Sequence, residues 1–533
     1  MTRWTPPVAM TRREEFLMKR LVRTKKLFAF LRRHRHELFD DQFQQELEGM
    51  YRQTGAGVEP LPPALLCMVV LLQAYTAVSD AEAVELTVMD ARWQLVLDCM
   101  NADAPVISQG ALQKFRERLI AADLDRRLLE RTIELAKATH EFDWKKLPKE
   151  MHIAVDSRPL EGAGRVEDTI NLLGHAARKI VMLAAKLTEI PVEAIAEQAR
   201  IPIALFGSTK AALDRDWSDP AQRGQALEEL LTQVDSLHGW LARMQLENER
   251  PLQRYIDAIG QIRVQDTEQD ENGRVRIKQG VAEDRRISIE EPEMRHGRKS
   301  KSKRFNGYKQ HIATELNSDL ILACAITPAN RPEEEATPQL KADLDLQRTS
   351  INRLYIDRGY INSDLVESVQ HDGGEVVCKP WLVRNNRPEL FKKTDFKLNM
   401  RDMTITCPAG QVEVFEPGEV VAFDPEACGP CPLRSKCTLS ASGKGRTVSI
   451  GKDEALQKKL RARQATKSGR VQLRERVGVE HRLAHIAARQ GRSARYKGVV
   501  KNLFDLRRVA AIQNLETIQR RQDAACQRRK DAA

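Results

Sequence analysis

The sequence predicts an α/β protein in which a mixed sheet with flanking helices follows an all-helical N-terminal region. Three observations support this fold class. Residues 1–150 show helical periodicity, with a long apolar run at 64–75. A β-rich run, "MHIAVDSRPL", then occupies 151–160. Between 306 and 381, further β-rich runs alternate with turn signals and helical patterns.

The strand signals follow one another closely after residue 306. "YKQHIATEL" and "LILACAITPAN" flank the turn signal "NSD" (317–319), which predicts a β-hairpin. "INRLYID" (351–357) and "GGEVVCKPW" (373–381) predict two further strands. Residues 265–304 are polar and charged, and we expect a loop or linker there.

Changes in pattern along the chain predict its division into domains. "SDAE" (79–82) and Ser108 are N-cap signals that place helices within the N-terminal region. The predicted segments are a helical N-terminal domain at 1–148; core strands at 149–165 and 305–400; a helical insertion and charged linker at 166–304; a four-cysteine insert at 401–445; a C-terminal helical part of the core at 446–518; and a basic tail at 519–533. We expect the N-terminal domain to bind DNA, although its pattern fits a packing domain without DNA contacts equally well.

Bulk composition excludes several classes of protein. The 533 residues are 41% hydrophobic and 30% charged, as expected for globular domains. The apolar run at 64–75 is shorter than the roughly 20 residues that span a bilayer. The N-terminus lacks the apolar core of a signal peptide, so we expect a cytoplasmic, nucleoid-associated protein without a membrane partner. The nine cysteines then indicate thiols or a metal site, and not disulfides.

The distribution of charge predicts a polyanionic partner, most often nucleic acid. The net charge is +11, and residues 441–533 hold 24 Lys and Arg against 8 Asp and Glu. Two further basic clusters lie at 19–36 and 295–305. The alternative is that these basic residues belong to ordinary solvent-exposed surfaces, but three separate basic clusters would then have arisen by coincidence. The basic residues expected to contact DNA are Arg298, Lys299, Lys301, Lys303, Arg304, Lys309, Arg489, Arg492, Arg495 and Lys497.

Three carboxylates predict a metal site. The predicted strands in "HIAVDS" and "RLYIDRG" end alike, at Asp156 and Asp357, and an unpaired charge at the end of a buried strand is costly. In the C-terminal stretch 473–498, Arg476 and Glu480 are at i, i+4 and share one helix face. Two divalent ions about 3.5–4 Å apart, held by such carboxylates, can drive phosphodiester hydrolysis. Taken singly, each residue fits a turn or a surface ion pair; together, beside basic clusters, they favour the metal site.

The motifs resemble the DDE transposases of bacterial insertion sequences. "AVDSRPLEG" is similar to the strand of the family's first Asp, and "LYIDRGY" to that of its second. "KRFNGYKQHIATELNSDLILACAITPAN" is similar to the family's hairpin, and "RVGVEHRLAHI" to its Arg-x-x-x-Glu helix. The region near 60–120 looks like the N-terminal domain common in this group. The four motifs occur in family order, and the resemblance covers roughly 60–515.

The resemblance implies an RNase H-like core in which Asp156, Asp357 and Glu480 hold two Mg²⁺ or Mn²⁺ ions. It also implies cleavage of double-stranded DNA at terminal inverted repeats, transfer of the 3′-hydroxyl to target DNA, and a homodimer that pairs two ends. Arg476 would orient Glu480 or contact the scissile phosphate. Two alternatives remain: an inactive or domesticated DNA-binding protein, and an RNase H-like nuclease without strand transfer.

Near Glu480, two positions depart from the family pattern, and one further residue competes for the role of third carboxylate. Many relatives carry a Tyr seven residues before the Glu and a Lys seven after it, where this chain has Leu473 and Ala487. Arg489 is the candidate for the missing basic group. Glu475 competes for the role of third carboxylate, although it lies outside the Arg-x-x-x-Glu register.

Four cysteines predict a structural zinc knuckle between the second Asp and the Glu. Cys428 and Cys431 form a Cys-x-x-Cys pair, and Cys407 and Cys437 complete four thiols within about thirty residues. Reduced thiols in a loop are the alternative. Four other cysteines lie in apolar runs and are expected in the core: Cys67, Cys99, Cys324 and Cys378.

Other candidate motifs carry less weight. Tyr496 lies among basic residues, as the nucleophile of a tyrosine recombinase would, but it also belongs to the basic region after Glu480. The acidic run 333–335 is expected in a loop and helix start. No Gly-rich phosphate cradle is present in the sequence, so we expect no nucleotide cofactor.

Overall fold

The structure of the protein is a computed structural model. It describes residues 3–21, 23–52, 59–139, 151–300, 302–383, 387–441 and 443–531. The helices are α1 (Arg12–Leu21), α2 (Lys26–Leu38), α3 (Asp41–Glu48), α4 (Pro63–Thr76), α5 (Asp80–Met89), α6 (Ala91–Leu97), α7 (Gln109–Ala121), α8 (Leu124–Ala138), α9 (Thr169–Thr188), α10 (Val192–Gln198), α11 (Thr209–Leu213), α12 (Pro220–Arg243), α13 (Arg250–Asp266), α14 (Thr337–Asp345), α15 (Asp364–His371), α16 (Pro425–Cys428), α17 (Arg434–Cys437), α18 (Glu454–Ala465), α19 (Lys467–Glu475), α20 (Val477–Gln490) and α21 (Val499–Asp531).

The strands form one large sheet and three small ones. Their bounds are β1 (Met151–Glu161), β2 (Thr267–Gln269), β3 (Val275–Ile277), β4 (Arg295–Arg298), β5 (Arg304–Glu315), β6 (Leu320–Pro328), β7 (Ile351–Tyr355), β8 (Glu375–Val377), β9 (Lys397–Asn399), β10 (Thr404–Thr406), β11 (Val412–Val414), β12 (Val420–Ala422) and β13 (Thr447–Ser449). The predicted mixed α/β class is confirmed, and the sheet is consistent with the RNase H-like core that the resemblance implies.

The large sheet is mixed, and β1 lies near its centre. Its order is β4-β5-β1-β7-β8, and β6 also pairs with β5. Strand β1 is antiparallel to β5 and parallel to β7, which is parallel to β8. Because β1 takes one edge of β5, strands β4 and β6 share the other edge, one after the other. This topology brings chain segments far apart in sequence to the end of β7.

Side-chain burial explains the central strands. Eight of the nine residues of β6 are buried, as expected for a strand covered on both faces. The predicted turn at 317–319 is confirmed: β5 ends at Glu315, β6 begins at Leu320, and Asp319 takes a left-handed φ of 62°. Helices α14, α20 and α21 pack against this sheet.

Two sequence-based expectations about strands are wrong. Asp156 does not end its strand, because β1 continues to Glu161 by pairing with β5. It lies instead two residues beyond the last pair that β1 makes with β7, Ala154–Tyr355. Residues 265–304 also contain β2, β3 and β4, and β4 joins the large sheet as an edge strand. Strand β4 is only four residues long and has the sequence RHGR, so it lacks the alternating apolar residues that would indicate a strand.

The N-terminal region folds onto the sheet through the C-terminal helix. In the described parts of 3–139 the regular elements are α1–α8, and Ser79 and Ser108 accept the expected capping bonds from the backbone N–H groups of Glu82 and Ala111. Helix α21 contacts α4, α8 and β6, and one hydrophobic core includes residues from all of them. Residues 519–531, expected as a basic tail, continue this helix.

Two smaller cores accompany the main one. Helices α9–α13 surround a separate cluster that includes Leu227, Val234 and Ile259. Strands β9–β13 surround a third, built on Phe396, Phe423 and neighbours. Among the described residues, no single helix is long and apolar enough to cross a membrane; the bent pair α4 and α5 passes by length and composition only, and α4 is mostly buried in the main core.

Candidate active site

The three predicted carboxylates and Arg476 line one cavity of about 580 Å³. Asp156 comes from β1, Asp357 from the segment after β7, and Glu480 from the first turn of α20. The parallel pairing of β1 with β7 brings the two Asp segments together, and α20 packs on β1 and β5. Side chains from three distant parts of the sequence therefore share one pocket.

Asp156 is held by two hydrogen bonds in a largely buried position. The backbone N–H of Ser157 donates to its Oδ1 at 2.8 Å, and Arg476 Nη1 donates to its Oδ2 at 2.7 Å. Burial raises the pKa of Asp156; the Arg476 charge opposes this shift, and the charges of Glu333 and Glu480 reinforce it. A nearby cation would therefore stabilise the charged form of this carboxylate.

Asp357 differs from the expectation that it ends a buried strand as a buried charge. Its side chain is exposed, although Leu354, Tyr355 and Ile356 before it are buried. Its Oδ1 accepts a hydrogen bond of 2.8 Å from the backbone N–H of Arg358, at the start of a short 3₁₀ turn. The strand ends at the pocket, so the carboxylate reaches solvent and needs no buried partner.

Arg476 connects the carboxylates. It lies between α19 and α20 and donates from Nη1 to Asp156 and from Nη2 to Glu480 Oε1, both at 2.7 Å. Burial lowers its pKa, but the charges of Asp156, Asp357 and Glu480 outweigh burial and raise it. The predicted i, i+4 arrangement is present. One guanidinium lies among three carboxylates and interacts electrostatically with each of them.

Basic residues predicted to bind DNA fall into two groups. Lys299, Lys303 and Arg304, at the tip of the β4–β5 hairpin, line the same cavity as the carboxylates, and so does Arg492. Arg298 is exposed at the end of β4. Lys301 lies outside the described residues. The hairpin thus places basic side chains in the same cavity as the acids.

The other basic candidates have partners within the chain. Lys309 donates to the carbonyl of Arg331, and Arg495 to that of Val78. Arg489 donates to the Tyr75 carbonyl at 2.9 Å and to Glu516 at 2.7 Å, while Lys497 lies 3.3 Å from Glu290. Arg489, the candidate for the missing family Lys, therefore joins α20 to the N-terminal helices and to α21.

The positions that depart from the family pattern are also placed. Ala487 lines the cavity, and Leu473 packs on the main core. Glu475, the competitor for the third carboxylate, accepts a hydrogen bond from the Tyr355 hydroxyl and is not among the described residues that line the cavity. The geometry favours Glu480 over Glu475.

The four cysteines of the insert line a second cavity of about 270 Å³, and all four are free thiols. Burial raises the pKa of Cys437; the Arg446 charge opposes this shift, and the other three cysteines reinforce it. In the parts of the chain that the structure describes, no group of three or more His, Cys, Asp or Glu side chains is arranged to hold a metal ion. Cys67, Cys324 and Cys378 are buried, as expected for core residues, whereas Cys99 is only partly buried at the edge of the main core.

Sequence reasoning missed Glu333, which contacts the segments that carry Asp156 and Asp357. It belongs to the acidic run that was expected only in a loop and helix start, and it begins a 3₁₀ turn before α14. Its Oε1 accepts a hydrogen bond of 2.5 Å from Ser157 Oγ. Three consecutive glutamates give no sign of which one turns inward, so the sequence held no signal for it.

Two family models match parts of the chain. Residues 280–515 match the family model "Transposase DDE domain", and residues 19–118 match "Transposase domain (DUF772)". The first match contains Asp357, Arg476 and Glu480, whereas Asp156 precedes it and is separated from it in sequence by α9–α13. No curated protein matches the chain, and no solved structure does.

The fold, the acidic pocket and the family match define a nucleic-acid-processing enzyme. More specifically, the chain belongs to the DDE-type transposases of insertion-sequence type.

Proposed function

We propose that this transposase cleaves phosphodiester bonds at the ends of its element and joins the freed 3′-hydroxyl to target DNA. The observation that carries the proposal is the shared cavity: Asp156, Asp357 and Glu480 face the same space as Lys299, Lys303 and Arg304. Hard carboxylate oxygens suit Mg²⁺ or Mn²⁺, and basic side chains suit the phosphates of DNA.

Each residue of the site has its own proposed role. Asp156, Asp357 and Glu480 would hold the divalent ions, and their oxygens fit that role because hard cations prefer such ligands. When bound, two such ions activate the attacking water or hydroxyl and stabilise the leaving oxygen. Arg476 keeps the acids close together by bonding to Asp156 and Glu480. The β4–β5 hairpin would hold the sugar–phosphate backbone over the acids.

Strand cleavage tests the proposal directly. Linear DNA carrying the element's own flanking sequence is incubated with the protein and Mg²⁺, and the products are mapped by sequencing gels. We expect nicks at one position with 3′-hydroxyl ends, followed by joined products when target DNA is added. Cleavage without joined products would indicate a nuclease, and tight binding without cleavage in Mg²⁺ or Mn²⁺ would indicate an inactive DNA-binding protein.

Charge reversal in the hairpin is expected to weaken DNA binding. The variant Lys299→Glu/Lys303→Glu places two negative charges beside the acidic pocket, so we expect roughly tenfold or greater loss of affinity near physiological salt. The slope of log affinity against log salt should fall by about one for each phosphate that the variant no longer neutralises. Fluorescence anisotropy measures both quantities.

Lys186→Glu is the matched control, because Lys186 is an exposed residue of α9 and does not line the cavity as the structure describes it. Equal losses for the control and the hairpin variant would contradict a specific role for the hairpin.

We propose further that Cys407, Cys428, Cys431 and Cys437 bind a structural zinc ion. The support is that all four line one small cavity and that their spacing suits a tetrahedral site. Metal analysis of the purified protein is expected to find about one zinc per chain, and Cys428→Ser should lower this content and the melting temperature, because thiolate ligands contribute to folding.

Cys526→Ser is the control for the zinc experiment, since Cys526 is exposed on α21, far along the chain from the insert. Zinc content that is unchanged by Cys428→Ser, or absent from the native protein prepared without chelators, would overturn the zinc proposal.

A further inference from the structure

Glu333 contacts the segment that carries Asp156. Its Oε1 accepts a hydrogen bond of 2.5 Å from Ser157 Oγ, and the backbone N–H of Ser157 donates to Asp156 Oδ1 at 2.8 Å. Ser157 also lines the cavity of the three acids. A single residue therefore separates the Glu333 carboxylate from the Asp156 carboxylate.

Glu333 also contacts the segment that carries Asp357. Its Oε2 lies against Gly359, where a Cβ atom would stand only 2.2 Å from that oxygen. Gly359 has no left-handed φ, so an added Cβ would meet no backbone strain there, but it would displace the Glu333 carboxylate. The same carboxylate therefore touches both Asp-bearing segments.

Among the described residues, no strand pairing joins those two segments at this level. The last pair between β1 and β7 is Ala154–Tyr355, before either Asp. Next to Gly359 in the chain, the hydroxyl of the buried Tyr360 and His311 Nδ1 are 2.7 Å apart, and His311 Nε2 lies 2.9 Å from Thr327 Oγ1. Glu333 thus contacts two segments that the pairing of β1 with β7 does not hold together, and one of them is anchored through Tyr360.

We propose that Glu333 is a positioning residue that sets the spacing between Asp156 and Asp357, acting through the Ser157 hydroxyl and through its contact with Gly359. The proposal rests on the proposed function, in which those two aspartates hold divalent ions. Glu333 itself touches neither the reacting DNA nor the ions in this role.

The test measures Mn²⁺ binding to the full-length protein by electron paramagnetic resonance, alongside strand cleavage and thermal unfolding. Glu333→Ala and Ser157→Ala each remove the hydrogen bond, so each is expected to weaken Mn²⁺ binding about ten- to a hundredfold. The double variant should bind no more weakly than Glu333→Ala, because Glu333→Ala alone already removes the hydrogen bond that Ser157 makes. Glu333→Gln keeps an acceptor oxygen and should restore most of the binding.

Two further variants sharpen the result. Gly359→Ala should reproduce the loss by displacing the carboxylate, and Glu334→Ala, the neighbouring glutamate, should bind as the native protein does. If Glu333→Ala does not fold, Ser157→Ala and Gly359→Ala decide the question.

The outcomes separate this proposal from the proposed function. Native-like Mn²⁺ binding in the Glu333→Ala and Ser157→Ala variants, or additive losses in the double variant, would overturn the positioning role. Mn²⁺ binding that depends on Glu333, with no DNA cleavage by the native protein, would support the positioning role and count against the transposition reaction. A native protein that binds no Mn²⁺ would overturn both.

Discussion

Asp357→Ala is expected to abolish strand cleavage, with the rate falling by about a thousandfold or more while DNA affinity changes little. Loss of one carboxylate removes a ligand that would hold a divalent ion, and such an ion contributes several kcal/mol of transition-state stabilisation. Asp357 is exposed, and its carboxylate accepts a local hydrogen bond from the N–H of the next residue, Arg358, so its removal should leave the fold intact. Product formation and anisotropy binding assays measure the two effects.

Asp372→Ala is the matched control for that experiment. Asp372 is half-exposed and follows α15, and its Oδ1 lies 3.2 Å from Nδ1 of the exposed His371. The control variant should cleave at the native rate. Comparable cleavage by Asp357→Ala and the native protein would exclude Asp357 from the active site, whereas loss of DNA binding in Asp357→Ala would point to a structural or binding role.

Asp505→Ala is expected to destabilise the protein by about 3–5 kcal/mol, since it leaves a buried guanidinium without its carboxylate. Asp505 and Arg508 of α21 have side chains that are each 2% exposed, and Arg508 Nε donates to Asp505 Oδ1 at 2.8 Å. Arg508 also donates to Gln73 of α4 at 2.8 Å, and Gln490 of α20 donates to Asp505. The pair therefore connects the N-terminal helices to the helix that carries Glu480.

Chemical denaturation and hydrogen exchange measure this effect. Hydrogen exchange should show faster opening in α4 and α20 as well as in α21, because Asp505 and Arg508 bond to both neighbours. Asp523→Ala is the control on the same helix: its pair with Lys26 is exposed, and such pairs contribute about 0–1 kcal/mol. Equal changes for the two variants would contradict a special role for the buried pair.

The residues of the acidic site could be predicted from the sequence, whereas several of the contacts between them could not. The spacing of Asp156, Asp357 and Glu480 within recognisable motifs was sufficient to predict that they share a site, and the structure brings them to one cavity. Their roles in catalysis stay predictions. The sequence also predicted the i, i+4 relation of Arg476 to Glu480, but the bond from Arg476 to Asp156 required the fold.

Local signals were weakest where a residue's environment comes from distant segments. Lys303 and Arg489 look alike as basic residues, yet one lines the cavity and the other bonds to Tyr75 and Glu516. Strand β4 has a charged sequence and is recognisable only from its pairing with β5. Residues 519–531 have the composition of a polar tail, but they extend the helix that the N-terminal region covers.

Hydrophobic periodicity, turn residues and motif spacing are local properties of the chain, so the class of fold, the order of the motifs and the family could be inferred without a structure. The exposure of Asp357, the turn of Glu333 towards Ser157 and the identity of the cations that face the acids emerged only with the folded protein. These features depend on contacts between segments that strand pairing and helix packing bring together, and such contacts leave no local pattern in the sequence.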